Sequence, residues 1–136
     1  MIGLVIVAHG GLARELLAAT EHVVGPLERA RSVAVAPADD LFDRQREVDE
    51  AVAAVDSGAG VVVVTDMFGG TPSNLAMGAM TGAQVEVIYG ANLPLLVKLA
   101  KCRGLPLHEA VTCALEAGRK YIDSAGGIIA ARAKRA

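Results

Sequence analysis

The sequence predicts an α/β domain, a three-layer sandwich around a mostly parallel central sheet of four strands. Two apolar runs carry this reading. Ile2–Ala8 has no polar position, and Gly60–Thr65 contains four consecutive valines. A strand that is apolar on both faces has to be covered on both faces, as parallel strands are. The third observation is the alternation of such runs with segments of helical period, the signature of strands joined by crossover helices. At 136 residues the chain has the length of one domain.

The elements follow in order. After the first strand, Leu12, Leu16, Leu17, Thr20, Val23 and Val24 form one apolar helix face, which Gly25-Pro26 stops. Arg31–Ala36 is a short strand closed by Pro37. Asp39 or Asp40 can cap a helix whose apolar face holds Leu41, Phe42, Val48, Val52 and Val55, with its end near Gly58. Gly60–Thr65 is the second central strand. Thr71-Pro72 reads as an N-cap followed by a proline at the first helical position, opening a brief helix from about Ser73 to Met80 that ends before Gly82. Val85–Tyr89 is the fourth strand, and helices follow over Leu93–Lys101 and from Leu107 to about Asp123. Gly126-Gly127 breaks the pattern before Ile128-Ile129. The domain is expected over residues 1–126, with 127–136 a C-terminal strand and tail.

A net charge of −2 does not point to nucleic acid or an anionic membrane. The first apolar run is too short to span a bilayer and lacks the basic start of a signal peptide. Cys102 and Cys113 fall in helical patterns and are expected to be free, buried thiols. The chain reads as cytoplasmic. No metal site is expected, because three scattered histidines and two helical cysteines match no ligand spacing. A Walker-type lysine motif and a dinucleotide glycine fingerprint are both absent.

Three strand ends carry the candidate chemistry. They are His9-Gly10-Gly11, then Asp66-Met67-Phe68-Gly69-Gly70-Thr71-Pro72-Ser73-Asn74, then Gly90-Ala91-Asn92-Leu93-Pro94. In a parallel sheet these loops emerge on one edge, where open α/β folds place their ligands. His9 and Asp66 can therefore meet despite their separation in sequence. A carboxylate that holds the Nδ1 proton of an imidazole fixes its tautomer and leaves Nε2 with a free lone pair. The glycines at 10, 11, 69 and 70 let backbone amides approach a ligand. Two helices start beside them and offer unpaired N–H groups to an anion, with Thr71 and Ser73 as added hydroxyl donors. Each residue also has a local reading: His9 as a strand cap, Asp66 and Thr71 as helix or turn caps, and Asn92 as the stabiliser of its own turn. His22 and His108 read as surface residues.

The segment from Ile2 to Ala13 resembles the start of the mannose-family IIA component of the bacterial phosphotransferase system. Asp66–Asn74 is similar to the second signature of that family, and Gly90–Leu96 to the third. The resemblance implies that His9 accepts a phosphoryl group at Nε2 from the phosphohistidine of the carrier protein HPr and passes it to a IIB partner, while Asp66 orients the ring. Gly10, Gly11, Gly69, Gly70, Thr71 and Ser73 then bind the phosphoryl group. Leu12, Met67, Phe68, Asn92 and Leu93 form a transient docking surface. No cofactor is implied. Members of the family are homodimers that exchange an antiparallel C-terminal strand, for which Gly127–Ala130 is the candidate here. The sequence carries neither a IIB domain nor a membrane segment. Its IIB partner is thus expected on a separate chain, with membrane association only indirect, through permease subunits. Without such a partner, the phosphorylation state of His9 would itself be the output.

Two rivals share a strand that runs into His-Gly. Histidine phosphatases normally have an arginine before the histidine, where Ala8 stands. Tetrapyrrole chelatases need further metal-binding groups, which His22 and His108 are poorly placed to supply.

Overall fold

The four apolar segments pair as parallel strands: β1 (Gly3–His9), β2 (Ala30–Val35), β3 (Val61–Thr65) and β4 (Val85–Ile88). Their order is β2-β1-β3-β4 in a computed structural model that describes residues 1–81 and 84–135. Gly82, the expected stop of the third helix, lies outside the described residues. The pairing is direct between β1 and β3, with Gly3 opposite Val61 and Val7 opposite Thr65. The two least polar strands thus lie at the centre, where both of their faces can be covered.

Helices α1 (Leu12–Val24), α4 (Leu93–Lys101) and α5 (Leu107–Lys120) cover one face, while α2 (Leu41–Val55) and α3 (Thr71–Gly78) cover the other. The strand period of two divides β1 between two cores. Val5 and Val7 pack with Val48, Val52 and Val55 of α2, whereas Leu4, Ile6 and Ala8 pack with Leu96 and Leu99 of α4. Each such side chain contributes roughly 1.5–3 kcal/mol when fully buried. A one-residue slip would exchange the two sets, so the register is strongly specified. Gly3 is required by contact: a Cβ there would stand 2.5 Å from the carbonyl oxygen of Val55.

The expected elements appear with small shifts. Asp40 caps α2, its carboxylate accepting from the N–H groups of Phe42 and Asp43. Gly70, not Thr71, is the N-cap of α3, which places Pro72 in the first turn. Leu41 and Phe42, read with the apolar face of α2, are exposed in its first turn. That turn stands beyond the sheet edge, where no layer is present to cover it. Cys102 and Cys113 are free and half-buried. No helix among the described residues is long and apolar enough to cross a membrane.

The C-terminus departs from expectation. Gly127–Ala130, read as a strand, lies within a helix, α6 (Ala125–Arg135). Ser124 starts it: its hydroxyl accepts from the N–H of Gly127 and its carbonyl from that of Ile128. The helix-breaking glycines sit in this first turn, and the alanine- and arginine-rich remainder has high helix propensity. A four-residue strand needs a partner strand, and among the described residues no strand pairs with this segment. No side chain of α6 is buried.

The opposite edge of the sheet is closed by one buried cation. Arg103, 5% exposed, donates from Nε to the carbonyl of Ile2 and from a terminal nitrogen to the carbonyls of Glu28 and Arg29. It ties the turn between α4 and α5 to the start of β1 and the entry to β2. Arg103→Met keeps the stem but takes a donor from three carbonyls, of which that of Arg29 retains the N–H of Leu4. We expect the unfolding free energy to fall by about 2–4 kcal/mol in urea titrations, because buried acceptors lose their donors; a loss below about 1 kcal/mol would mean that water replaces the guanidinium.

Candidate functional site

Where β1 and β3 end side by side, the chain leaves them toward opposite faces. The loop after β1 enters α1, while the loop after β3 enters α3 on the other side. Such a reversal opens a crevice at the carboxyl edge of the sheet. His9 is the last residue of β1, and Asp66 directly follows β3. The carboxylate of Asp66 meets His9 twice. Oδ2 lies 2.7 Å from Nδ1 and also accepts from the backbone N–H of His9 at 3.0 Å. Oδ1 accepts from the N–H of Met67. Three contacts fix the carboxylate and, through it, the plane of the ring. Because an ionised carboxylate only accepts, Nδ1 carries the proton and Nε2 presents its lone pair.

His9 is in phase with Val5 and Val7, so its ring leans toward the layer of α2 and α3. There it meets Gly70. A Cβ on Gly70 would stand 3.2 Å from Cε1 and 3.6 Å from Nε2 of His9, so the absence of a side chain lets the ring lie against the N-terminus of α3. Pro72 has no N–H, which leaves Thr71 and Ser73 as the amide donors of that first turn. Ser73 is buried, and its hydroxyl accepts a long hydrogen bond from the N–H of Gly69. Gly10 continues the strand pairing to Val35 and then takes a φ of +55°, a left-handed turn suited to glycine. Gly11 is the N-cap of α1 without any side-chain cap. The six residues expected to bind an anion therefore border the crevice, Gly10 and Gly11 from the α1 side and Gly69, Gly70, Thr71 and Ser73 from the α3 side.

The pair is asymmetric in exposure: the His9 side chain is 52% accessible and that of Asp66 13%. Burial works to raise the Asp66 pKa, but the hydrogen bonds from the His9 amide and ring, the charge of the ring and the Met67 amide outweigh it. The carboxyl is held below its ordinary value. The arrangement provides an accessible nitrogen nucleophile, an anion behind it and amide donors in front. His22 and His108 are exposed elsewhere, and no metal-binding cluster of His, Cys, Asp or Glu exists among the described residues.

The apolar rim differs in part from expectation. Leu12, Met67 and Phe68 are exposed, with Phe68 edge-on to Tyr89 at 5.0 Å between ring centroids. Leu93 is half-buried. Asn92 is turned inward: its side-chain oxygen caps α4 by accepting from the N–H of Leu95, and its amide donates to the carbonyl of Gly118. Leu41 and Phe42, the latter 81% exposed, extend the rim on the β2 side. The Asp40 cap was the signal available for them, since a helix that opens at the carboxyl edge shows its first turn there whatever its composition.

Asp66 makes a pH prediction. A carboxyl whose pKa is depressed by folding adds stability above its unfolded value, and that stability is lost as pH falls through the lower folded value. Asp66→Asn should therefore unfold more easily than the wild type at neutral pH, and the gap should close below the ordinary carboxylate value of 3.8. Denaturant titrations of both proteins across that range test it; a gap independent of pH would show that the Asp66 charge adds nothing.

Comparison with known proteins places the chain in a family. Residues 3–115 match the EIIA-man family model, described as PTS system fructose IIA component. The chain is 30% identical over 126 residues to the PTS system mannose-specific EIIAB component of Escherichia coli K12, an alignment covering 90% of this chain and 39% of that protein. It thus spans about two fifths of the length of the curated relatives it first matches. Among solved structures, the mannose/sorbose specific IIA subunit of the phosphotransferase system from Enterococcus faecalis superposes with a TM-score of 0.81 at 28% identity, covering 90% of this chain and 93% of that one. The phosphotransferase system component EIIA from Streptococcus agalactiae gives a TM-score of 0.82 over 91% of this chain and 97% of that one; at 23% identity it speaks for the fold alone. The chain belongs to the EIIA-man family, the mannose-type IIA components of the phosphotransferase system.

Proposed function

We propose that this chain is a phosphoryl carrier in which His9 Nε2 accepts a phosphoryl group from the phosphohistidine of HPr and passes it to a IIB partner. One observation carries the reading: the Asp66 carboxylate on His9 Nδ1 at 2.7 Å, with Nε2 turned toward Gly70. In the transfer, the Nε2 lone pair forms a bond to phosphorus as the P–N bond of the donor breaks, and its electron pair returns to the donor imidazole. The His9 ring becomes cationic, and Asp66 stabilises that charge without taking the proton. Phosphoryl transfer of this kind demands alignment and charge stabilisation. The Gly70–Ser73 turn supplies donors for the phosphoryl oxygens, and the Gly10-Gly11 turn borders them from the other side. No nucleotide is called for, since the donor P–N bond already carries the reactive group.

The exposed nitrogen suits a protein donor, which has to bring its own histidine into line. Leu12, Met67, Phe68, Leu41 and Phe42 form a docking rim around it, fit for a weak and small interface. Delivery to a IIB partner serves sugar uptake; a phosphorylation state read by another regulator serves control. Both readings use the same His9 chemistry. The chain is further proposed to act as a homodimer in the cytoplasm. The unburied α6, with Ile128 and Ile129 exposed, and the one-sided pairing of β4 leave surface that a second copy can cover.

Incubation with enzyme I, HPr and phosphoenolpyruvate followed by intact mass should show one acid-labile phosphoryl group, absent in His9→Ala. Unchanged labelling of that variant would overturn the assignment. Asp66→Asn should slow labelling about 100-fold without abolishing it, the scale of losing an orienting charge; wild-type kinetics would remove Asp66 from the mechanism. Light scattering on an eluting peak should give twice the chain mass, and a monomer at micromolar concentration would refute the dimer.

A further inference from the structure

A groove of about 410 Å³ runs between α4 and α5 and shares no lining residue with the His9–Asp66 site. Its charge is one-sided. Lys98 and Lys101, one turn apart on α4, face it from one wall, and Lys120, at the end of α5, faces it from the other. Among the described residues none of the three is ion-paired, and Glu116 is the single carboxylate in the lining. Three cations against one anion repel one another around an open space, and the repulsion is relieved when an anion enters. The rest of the wall is not charged. Pro94, Val97 and Ala117 line its apolar part, and Tyr121 presents an exposed aromatic ring at one end, with the Lys120 ammonium 5.4 Å from the ring centroid. Ammonium groups beside an apolar and aromatic wall, in a volume of small-molecule size, match a ligand with phosphate at one end and a ring at the other.

We propose that the α4–α5 groove binds a nucleotide, with its phosphates on Lys98, Lys101 and Lys120 and its base along Pro94 and Tyr121. The groove is tied to the His9 site by a short bonded path. Asn92 caps α4 and donates to the Gly118 carbonyl of α5, while the N–H of the adjacent Ala91 donates to the carbonyl of Thr65, the residue before Asp66. A ligand that clamps α4 to α5 therefore acts on the two helices that this path joins to the carboxyl edge.

The test reads binding, and so stands whatever His9 does. The ¹⁵N-labelled full chain is titrated with ATP at millimolar concentration and, separately, with pyrophosphate and a short oligoglutamate peptide. ATP should shift amide signals of α4 and α5 around the groove, bind more tightly than pyrophosphate, and weaken about tenfold or more in Lys98→Glu/Lys120→Glu, both surface positions that leave the core intact. Tyr121→Ala should abolish the preference for ATP over pyrophosphate while the residual anion binding persists. Equal binding of ATP and pyrophosphate by the wild type would overturn the proposal, as would shifts that survive charge reversal. Groove shifts with oligoglutamate but none with ATP would overturn it in favour of an acidic protein partner.

Discussion

The direct pairing of β1 with β3 is the constraint on which the rest of the structure depends. These are the two strands with the least polar character, and placing them side by side at the centre buries both faces of each. Once they are neighbours, β2 has to lie outside β1 and β4 outside β3. The right-handed crossovers then send α1 to one face and α3 to the other. The crevice between the two departing loops is a by-product of this burial. Hydrophobic packing, which is indifferent to chemistry, thereby brings together two polar residues that are 57 positions apart in sequence.

What those residues do depends on unequal placement. Asp66 sits mostly out of water, held by three N–H groups, and so keeps its charge at a cost offset by hydrogen bonds. His9, half exposed, remains open to a partner. The surrounding surface is apolar, with Leu12, Phe42, Met67 and Phe68 presented to solvent from short loops and first helical turns. The proposed transfer of a group between proteins draws on this combination of an oriented ring and an apolar rim.

Much of this was legible in the residues. The all-apolar run into His9, the valine run into Asp66 and the glycine clusters after both are local patterns with local physical meaning, and they identified the strands, the sheet edge and the candidate pair. Reading failed where local pattern and tertiary context part. Leu41 and Phe42 fit an apolar helix face, yet lie beyond the layer that would bury them. Asn92, read both as the stabiliser of its own turn and as a docking residue, caps α4, and its amide also joins α4 to α5. Gly126-Gly127 reads as a break followed by a strand, while Ser124 and the alanines that follow support a helix when no strand partner stands nearby.

The sequence by itself determined the class of fold, the identity of the central strands and the residues able to do chemistry, because burial period and side-chain chemistry are properties of short segments. Only the tertiary structure decided that β1 and β3 adjoin, that Nδ1 of His9 rests on Asp66 while Nε2 faces Gly70, and that three lysines from two helices converge on one groove. Those facts depend on strand order, crossover hand and helix register, which are settled by packing over the whole chain and leave no mark in any one segment.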